Sequence, residues 1–138
     1  MLIVYDSLTG LGKKFSESLD YKSQPVKEKL SEKCILITRN VGAGKIPRTT
    51  KKFIRKHKEL IVGFVNNGDR EKHGETFCGS SDKLVKEYGL LLIKNIEGAG
   101  NDEDIKDVKA FIANHENWIS CDYYNRRSVL LCYYLLAL

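Results

Sequence analysis

The sequence predicts an α/β fold, a three-layer α/β/α sandwich built on a five-stranded parallel sheet. Two observations predict it. Short, continuous apolar runs recur along the chain, which is typical of strands that are buried on both faces. A helical pattern follows most of these runs, and alternating strands and helices favour a parallel sheet joined by right-handed crossovers. A length of 138 residues is ordinary for one such domain.

The strands are predicted in four apolar runs and one short edge segment. The four runs are Leu2 to Tyr5, Cys34 to Thr38, Leu60 to Val65 and Leu90 to Ile93, the last with an alternative end at Ile96. The edge segment is Ser23 to Val26, because Pro25 cannot donate a backbone hydrogen bond and is tolerated only at the margin of a sheet.

Four helices are predicted between and after these strands. They cover Lys13 to Leu19, Thr49 to Lys58, Thr76 to Tyr88 and Asp102 to Asn114. Short polar side chains are the preferred caps of helix N-termini. Thr49 or Thr50 is therefore the expected cap of the second helix, and Asn101 that of the fourth.

The loops that follow the strands are the expected ligand site, because ligands of such sheets bind beyond the carboxyl ends of the strands. These loops are Asp6 to Gly12, Arg39 to Pro47, Asn66 to Gly74 and Glu97 to Gly100, and each contains glycine. One glycine loop alone is weak evidence, since tight turns use glycine anyway. Four of them at one edge favour a bound ligand.

The first loop has the chemistry of a phosphate site. Ser7 and Thr9 offer hydroxyl donors, and the loop leads into a helix N-terminus, which attracts anions. The spacing matches neither Gly-x-x-x-x-Gly-Lys-Ser/Thr nor Gly-x-Gly-x-x-Gly. A monophosphate is therefore favoured over a pyrophosphate.

Composition argues against several other classes of function. The net charge is +5, with 23 basic against 18 acidic residues, a modest excess that is more typical of a solvated surface or of acidic partners than of nucleic-acid binding. The four cysteines and three histidines are too scattered for a metal or dithiol site. With no signal peptide at the start, the expectation is a reduced, cytoplasmic chain.

Four segments carry a resemblance to a known family. "SLTG" (7–10), followed by a helix that begins with Lys13 and Lys14, resembles the phosphate loop of flavodoxins. "NVGAGKIP" (40–47), "NNGDREKHGETF" (66–77) and "IEGAGNDEDI" (96–105) are similar, in order and spacing, to segments of the flavodoxin-like NrdI proteins that serve class Ib ribonucleotide reductases. The resemblance runs from Met1 to the region of Ala113.

This resemblance implies a flavodoxin-like strand order of 2-1-3-4-5 and flavin mononucleotide (FMN) as the cofactor. It also implies a redox accessory protein in which the flavin carries the chemistry, with no catalytic side chain and no metal ligand. The implied cofactor-binding residues are Ser7, Leu8, Thr9, Gly10, Leu11, Gly12, Asn40, Val41, Gly42, Ala43, Gly44, Asn67, Gly68, Asp69, His73 and Gly74.

The resemblance further implies two partners: the small subunit of a class Ib ribonucleotide reductase and a protein that reduces the flavin. The small subunit would receive superoxide or peroxide, or electrons, for assembly of its dimanganese and tyrosyl radical cofactor. Two alternatives remain open, namely a conventional flavodoxin electron carrier and a flavin-free binding module of the same fold.

The chain departs from the family pattern at three places. Leu11 stands where the family often has an asparagine that can bond the phosphate, and His73 stands in a longer loop where an aromatic ring normally flanks the flavin. The segment from Trp118 onward has no counterpart, so we expect a domain at 1–117 and an extension of unknown role at 118–138. Its apolar run, Val129 to Leu138, is about half of the roughly 20 residues that span a bilayer, so no membrane anchor is expected.

Overall fold

A computed structural model of the chain describes residues 1–69 and 78–116. The strands are β1 (Leu2–Tyr5), β2 (Ser23–Pro25), β3 (Cys34–Arg39), β4 (Ile61–Gly68) and β5 (Leu92–Glu97). The helices in the described residues are α1 (Leu11–Ser18), α2 (Arg48–His57), α3 (Gly79–Tyr88) and α4 (102–116), with a short 3₁₀ helix at Lys58–Leu60.

The chain divides into two compact units, Met1–Val108 and Lys109–Leu138. All five strands lie in the first unit. In the second unit, the described residues 109–116 are helical. The boundary predicted between 117 and 118, and the extension at 118–138, lie outside the described residues.

The strands form one parallel sheet in the order β2-β1-β3-β4-β5, which confirms the predicted fold and order. β1 pairs on both sides, with Ile3 opposite Ser23 of β2 and opposite Ile35 of β3. β2 lies at the edge, as its proline predicts. This order places the carboxyl ends of β1 and β3 side by side, at the edge of the sheet where the sequence predicts a ligand site.

Both faces of the sheet are covered, so the core has two layers. On one face, Leu36 and Phe64 of the sheet belong to a buried cluster with Ile54 of α2 and Leu84 of α3. Successive strand side chains point to opposite faces, and the opposite face carries α1, whose Gly12 lies against Ile37 of β3. Strands buried in this way explain the apolar runs that predicted them.

The strands that differ most from their predicted bounds are β4 and β5, whereas β2 and β3 differ by one residue at their ends. β4 begins after the 3₁₀ helix and continues to Gly68, because Asn66 and Asn67 extend the pairing with both neighbouring strands despite their polar side chains. β5 begins at Leu92 rather than at Leu90. The Leu90 amide N–H instead donates to the carbonyl of Leu84 and helps to close α3.

The cap predicted for α2 is wrong. The helix begins at Arg48, directly after Pro47, and no side chain caps it. Thr49 and Thr50 lie inside the first turn, where their hydroxyls donate to the carboxylate of Asp6.

The other helix starts also show how local backbone sets a boundary. α1 begins two residues earlier than predicted, directly after Gly10 in a left-handed conformation. The predicted start of the third helix at Thr76 lies outside the described residues, and Cys78 has φ 52, so α3 starts at Gly79. Asn101 caps α4 as predicted, since its side-chain oxygen accepts from the Asp104 amide at 2.8 Å while the Asp104 carboxylate accepts from the Asn101 amide.

In residues 1–69 and 78–116, no helix has the length and apolar character needed to cross a membrane.

Candidate functional site

The loops at the carboxyl ends of the strands enclose a cleft of about 450 Å³, a size typical of small-molecule sites. Nine predicted site residues line it: Ser7, Leu8, Thr9, Leu11, Gly12, Asn40, Asn67, Gly68 and Asp69. Five further residues that the sequence did not single out as ligands complete the lining: Asp6, Thr38, Arg39, Glu97 and Gly98. We call this space the carboxyl-edge cleft.

The loop after β1, residues 6–10, forms one end of the cleft and is called the β1 loop. Gly10 ends it with φ 89, a left-handed conformation that favours glycine, and α1 starts at once. The Ser7 hydroxyl oxygen accepts a hydrogen bond from the Gly10 amide at 3.1 Å, which closes the loop into a tight turn. No side chain caps α1, so the first backbone N–H groups of the helix are available to an anion.

Asp6 anchors this loop through a buried carboxylate that is only 6% exposed. Its Oδ2 accepts from the hydroxyls of Thr49 and Thr50, the latter at 2.6 Å. Its Oδ1 lies 3.8 Å from Nε of Arg39, which is buried and has no hydrogen-bond partner in the structure. The end of β1, the end of β3 and the start of α2 are therefore held together by one negative charge.

The loop after β3, residues 40–45, is the β3 loop, and it is closed by a short antiparallel bridge. The amides of Val41 and Lys45 each donate to the carbonyl of the other at 2.9 Å. Gly42 and Gly44 both have positive φ, 52 and 74. The Gly42 carbonyl accepts from the Gly44 amide at 3.0 Å, so the tip is a very tight turn.

The start of α3 fixes the base of the β3 loop. The side-chain oxygen of Asn40 accepts from both the hydroxyl and the amide of Ser80, the amide at 3.1 Å. A Cβ on Gly44 would lie 3.2 Å from Cα of Gly79, so the two backbones are in close contact. By contrast, a Cβ on Gly42 would meet no atom within 4 Å.

A buried network of amides and hydroxyls extends from Asn40 into the sheet. Asn66 of β4 donates through its Nδ2 to the hydroxyls of Ser80 and Ser81, both at 2.8 Å. Ser81 donates in turn to Asn95 of β5 at 2.5 Å. From the sequence Asn66 is expected in a loop, and this role could not be predicted because its partners, Ser80 and Ser81, lie 14 and 15 positions away.

Only part of the predicted site is brought together in the carboxyl-edge cleft. Asn67 lies in β4 and donates to the Gly98 carbonyl, so it ties the third and fourth loops to each other. Gly10 is the turn residue of the β1 loop but does not line the cleft. Four predicted residues of the β3 loop lie beside the cleft and not in its lining: Val41, Gly42, Ala43 and Gly44. His73 and Gly74 lie outside the described residues.

Two chemical properties of the described side chains concern cysteine reactivity and metal binding. Burial, with a smaller effect from nearby Glu32, raises the pKa of the Cys34 thiol to about 12, so this cysteine stays protonated. Within the described ranges, no group of three or more His, Cys, Asp or Glu side chains could hold a metal ion. At the β1 loop, the hydroxyls of Ser7 and Thr9 and the backbone N–H groups that start α1 fit a small anionic group.

Comparison with known proteins agrees with this arrangement. A family model described as "NrdI Flavodoxin like" matches residues 3–110. "Protein NrdI" of Bacillus licheniformis is 31% identical over 107 residues, which cover 75% of this chain and 81% of that protein.

Solved structures share the fold at lower identity. Oxidised flavodoxin 2 from Bacillus cereus has a TM-score of 0.58 and 21% identity, covering 84% of this chain and 97% of its own. A variant of Fusobacterium nucleatum flavodoxin, solved with flavin mononucleotide bound, has a TM-score of 0.50 and 22% identity. The match covers 81% of this chain and 92% of that flavodoxin. Because the family model spans most of the chain, this protein belongs to the NrdI flavodoxin-like family.

Proposed function

We propose that the protein binds FMN in the carboxyl-edge cleft and serves a class Ib ribonucleotide reductase as a redox accessory protein. The observation that carries the proposal is the cleft itself, in a chain of the NrdI flavodoxin-like family. It joins a phosphate-type turn at a helix N-terminus to polar loops from three other strands, and the fold and the family both support FMN as the cofactor.

The β1 loop would hold the phosphate. The Ser7 oxygen already accepts from the Gly10 amide, which leaves its hydroxyl proton free to donate outward. Thr9 is exposed and adds a second hydroxyl. Leu11 contributes only its backbone N–H, so the uncapped start of α1 takes over part of the role that an asparagine has in the family.

The β3 loop and the segment Asn67–Asp69 would flank the flavin ring. When bound, FMN supplies one- or two-electron transfer and, once reduced, reaction with oxygen. The Gly42 carbonyl is the group on this loop best placed to respond, because among the described residues it accepts only from the Gly44 amide, while the base of the loop is fixed. A rotation of this peptide would exchange that hydrogen bond for one to the flavin.

The small subunit of the reductase is the proposed acceptor, and it would receive superoxide or peroxide, or electrons, for cofactor assembly. A separate reductant of the flavin is part of the proposal, as is a cytoplasmic location, where both partners would be found.

FMN titration followed by visible spectroscopy tests the first part. We expect tight binding, and an increase in Kd of about tenfold or more for Ser7→Ala and for Thr9→Ala, because a hydrogen bond to a charged group contributes roughly 1.5–3 kcal/mol. Ser31→Ala, an exposed hydroxyl outside the cleft, is the matched control and should leave Kd unchanged. No retained FMN in any variant would favour the flavin-free module.

The second part is tested with the manganese-loaded small subunit of a class Ib reductase. The reduced protein, oxygen and the small subunit together should yield the tyrosyl radical, measured by electron paramagnetic resonance, and omission of the protein should abolish it. Electron transfer to flavodoxin acceptors without radical formation would instead identify a conventional carrier.

A further inference from the structure

A second cleft, of about 570 Å³, lies beside the first, between the β3 loop, the start of α2 and α3. It is strongly basic, and we call it the basic cleft. Five cationic side chains line it, Arg39, Lys45, Arg48, Lys51 and Lys83, against one carboxylate, Glu87. The proposed binding of FMN makes no use of the cations that α2 and α3 contribute to it, Arg48, Lys51 and Lys83.

The charge of the basic cleft is not balanced within the described part of the chain. None of the side chains of Lys45, Arg48, Lys51 and Lys83 forms a salt bridge there, and Arg39 reaches Asp6 only at 3.8 Å. Closely spaced like charges repel each other, so this arrangement favours an anionic occupant.

The position of these cations on α2 strengthens this argument. Arg48 is the first residue of the helix and Lys51 the fourth, and the first turn contains no acidic residue. Cations are disfavoured at a helix N-terminus because its partial charge is positive. α3 has the ordinary arrangement, with Asp82 in its first turn. An anion bound at α2 would relieve a repulsion that the sequence builds in.

The uncharged lining indicates what kind of anion fits. Val41, Ile46 and Pro47 form an aliphatic surface between the cations, and Val41 is 37% exposed. No aromatic side chain lines the cleft in the described residues, so a nucleotide base would find no stacking partner. Carboxylates next to aliphatic side chains match this surface better, which favours a protein segment.

The location of the basic cleft connects it to the flavin. Arg39 lines both clefts. Val41 and Lys45, which pair to close the β3 loop, both line the basic cleft. A segment docked there would touch the loop proposed to flank the flavin.

We propose that the basic cleft is the docking site for an acidic, aliphatic segment of the protein that accepts the oxidant or electrons. This inference rests on the proposed function, in which such an acceptor exists. Charge complementarity of this kind acts mainly on the rate of association, and its effect weakens as salt rises.

Two variants that each remove three positive charges distinguish a specific effect of the basic cleft from an effect of the net charge of the protein on association. The cleft variant is Arg48→Gln/Lys51→Gln/Lys83→Gln, and none of these three residues belongs to the loops proposed to hold FMN. The control variant is Lys52→Gln/Arg55→Gln/Lys56→Gln. It removes the same charge from three residues of α2 that are exposed and do not line the cleft. Both should retain FMN binding, which verifies folding.

Association with the class Ib small subunit is measured by stopped-flow at low salt and again at about 0.5 M salt. We expect the cleft variant to associate about tenfold or more slowly at low salt, the control variant less than threefold more slowly, and the difference to shrink at high salt. Equal slowing of the two variants would overturn the proposal, as would no slowing in the cleft variant.

A second arm keeps this test independent of FMN and of the reductase. Poly-L-glutamate and inorganic tripolyphosphate are titrated separately into the wild type and both variants by calorimetry. Poly-L-glutamate binding that only the cleft variant loses supports the proposal, even if the protein retains no FMN and the proposed function fails. Tighter binding of tripolyphosphate, lost in the same variant, would identify a polyphosphate site and overturn docking of a protein segment.

Discussion

The β1 loop and the β3 loop meet at the same edge of the sheet but are anchored in different ways. The β1 loop is held by charge, because the buried carboxylate of Asp6 accepts from two hydroxyls of α2. The β3 loop is held at its base by Asn40 and Gly44 against the start of α3, and a side chain at its tip would meet open space.

This difference indicates two kinds of task. A loop whose first residue bonds to another element cannot move without leaving a buried charge unpaired, which suits the fixed binding of a phosphate. A loop fixed only at its base can rotate a tip peptide while its ends stay in place. The sequence has glycines in both loops, so it does not distinguish them. The contacts do, because they fix the β1 loop at its first residue and the β3 loop only at its base.

The largest effect is expected from Asp6→Ala, which removes the anchor of the β1 loop. Two hydroxyls lose their common acceptor and the Arg39 guanidinium loses its nearby carboxylate, so we expect a loss of about 3 kcal/mol in the free energy of unfolding. Urea denaturation of the FMN-free protein measures it. Glu17→Ala is the control, since that carboxylate is exposed and lies 3.9 Å from Lys13, and should cost less than about 0.5 kcal/mol. Equal costs would mean that Asp6 is not an anchor.

The next largest effect is expected from Gly44→Ala at the base of the β3 loop. The positive φ alone costs about 1 kcal/mol, and the new Cβ would press on the Gly79 backbone, so the total should be about 2 kcal/mol. Gly89→Ala is matched in φ, at 66, but its Cβ would meet open space, so it should cost about half as much. The same urea measurement compares them, and identical losses would exclude the contact with α3 as an anchor.

Much of this fold could be predicted from the sequence because its three inner strands, β1, β3 and β4, are buried on both faces. Continuous apolar runs located four of the five strands, and Pro25 indicated that the remaining strand lies at the edge. The phosphate-type loop could be located too, because Ser7, Thr9 and Gly10 lie directly after β1 and before α1.

The anchors could not be predicted, because they join residues that are distant in sequence. Thr49 and Thr50 have the side chains of helix caps, yet Asp6, more than 40 positions away, takes both hydroxyls. Asn66 reads as a loop residue, and only its pairing with β3 and β5 and its bonds to Ser80 and Ser81 place it in the interior. The sequence predicts which loops lie at the carboxyl edge of the sheet, but not that the β1 loop is anchored at its first residue and the β3 loop at its base.

The smallest effect, and the most discriminating one, is expected from substitutions at Gly42 in the tip of the β3 loop. Gly42→Ala should cost about 1 kcal/mol, since it has φ 52 but open space around it. Gly42→Asn should cost clearly less, because asparagine tolerates the left-handed region. At Gly44 asparagine should still cost about 1 kcal/mol, because its Cβ meets Gly79 even where the backbone conformation is tolerated. Equal costs of asparagine at the two positions would mean that backbone conformation alone governs the loop, whereas a larger cost at Gly44 requires a fixed base and a free tip.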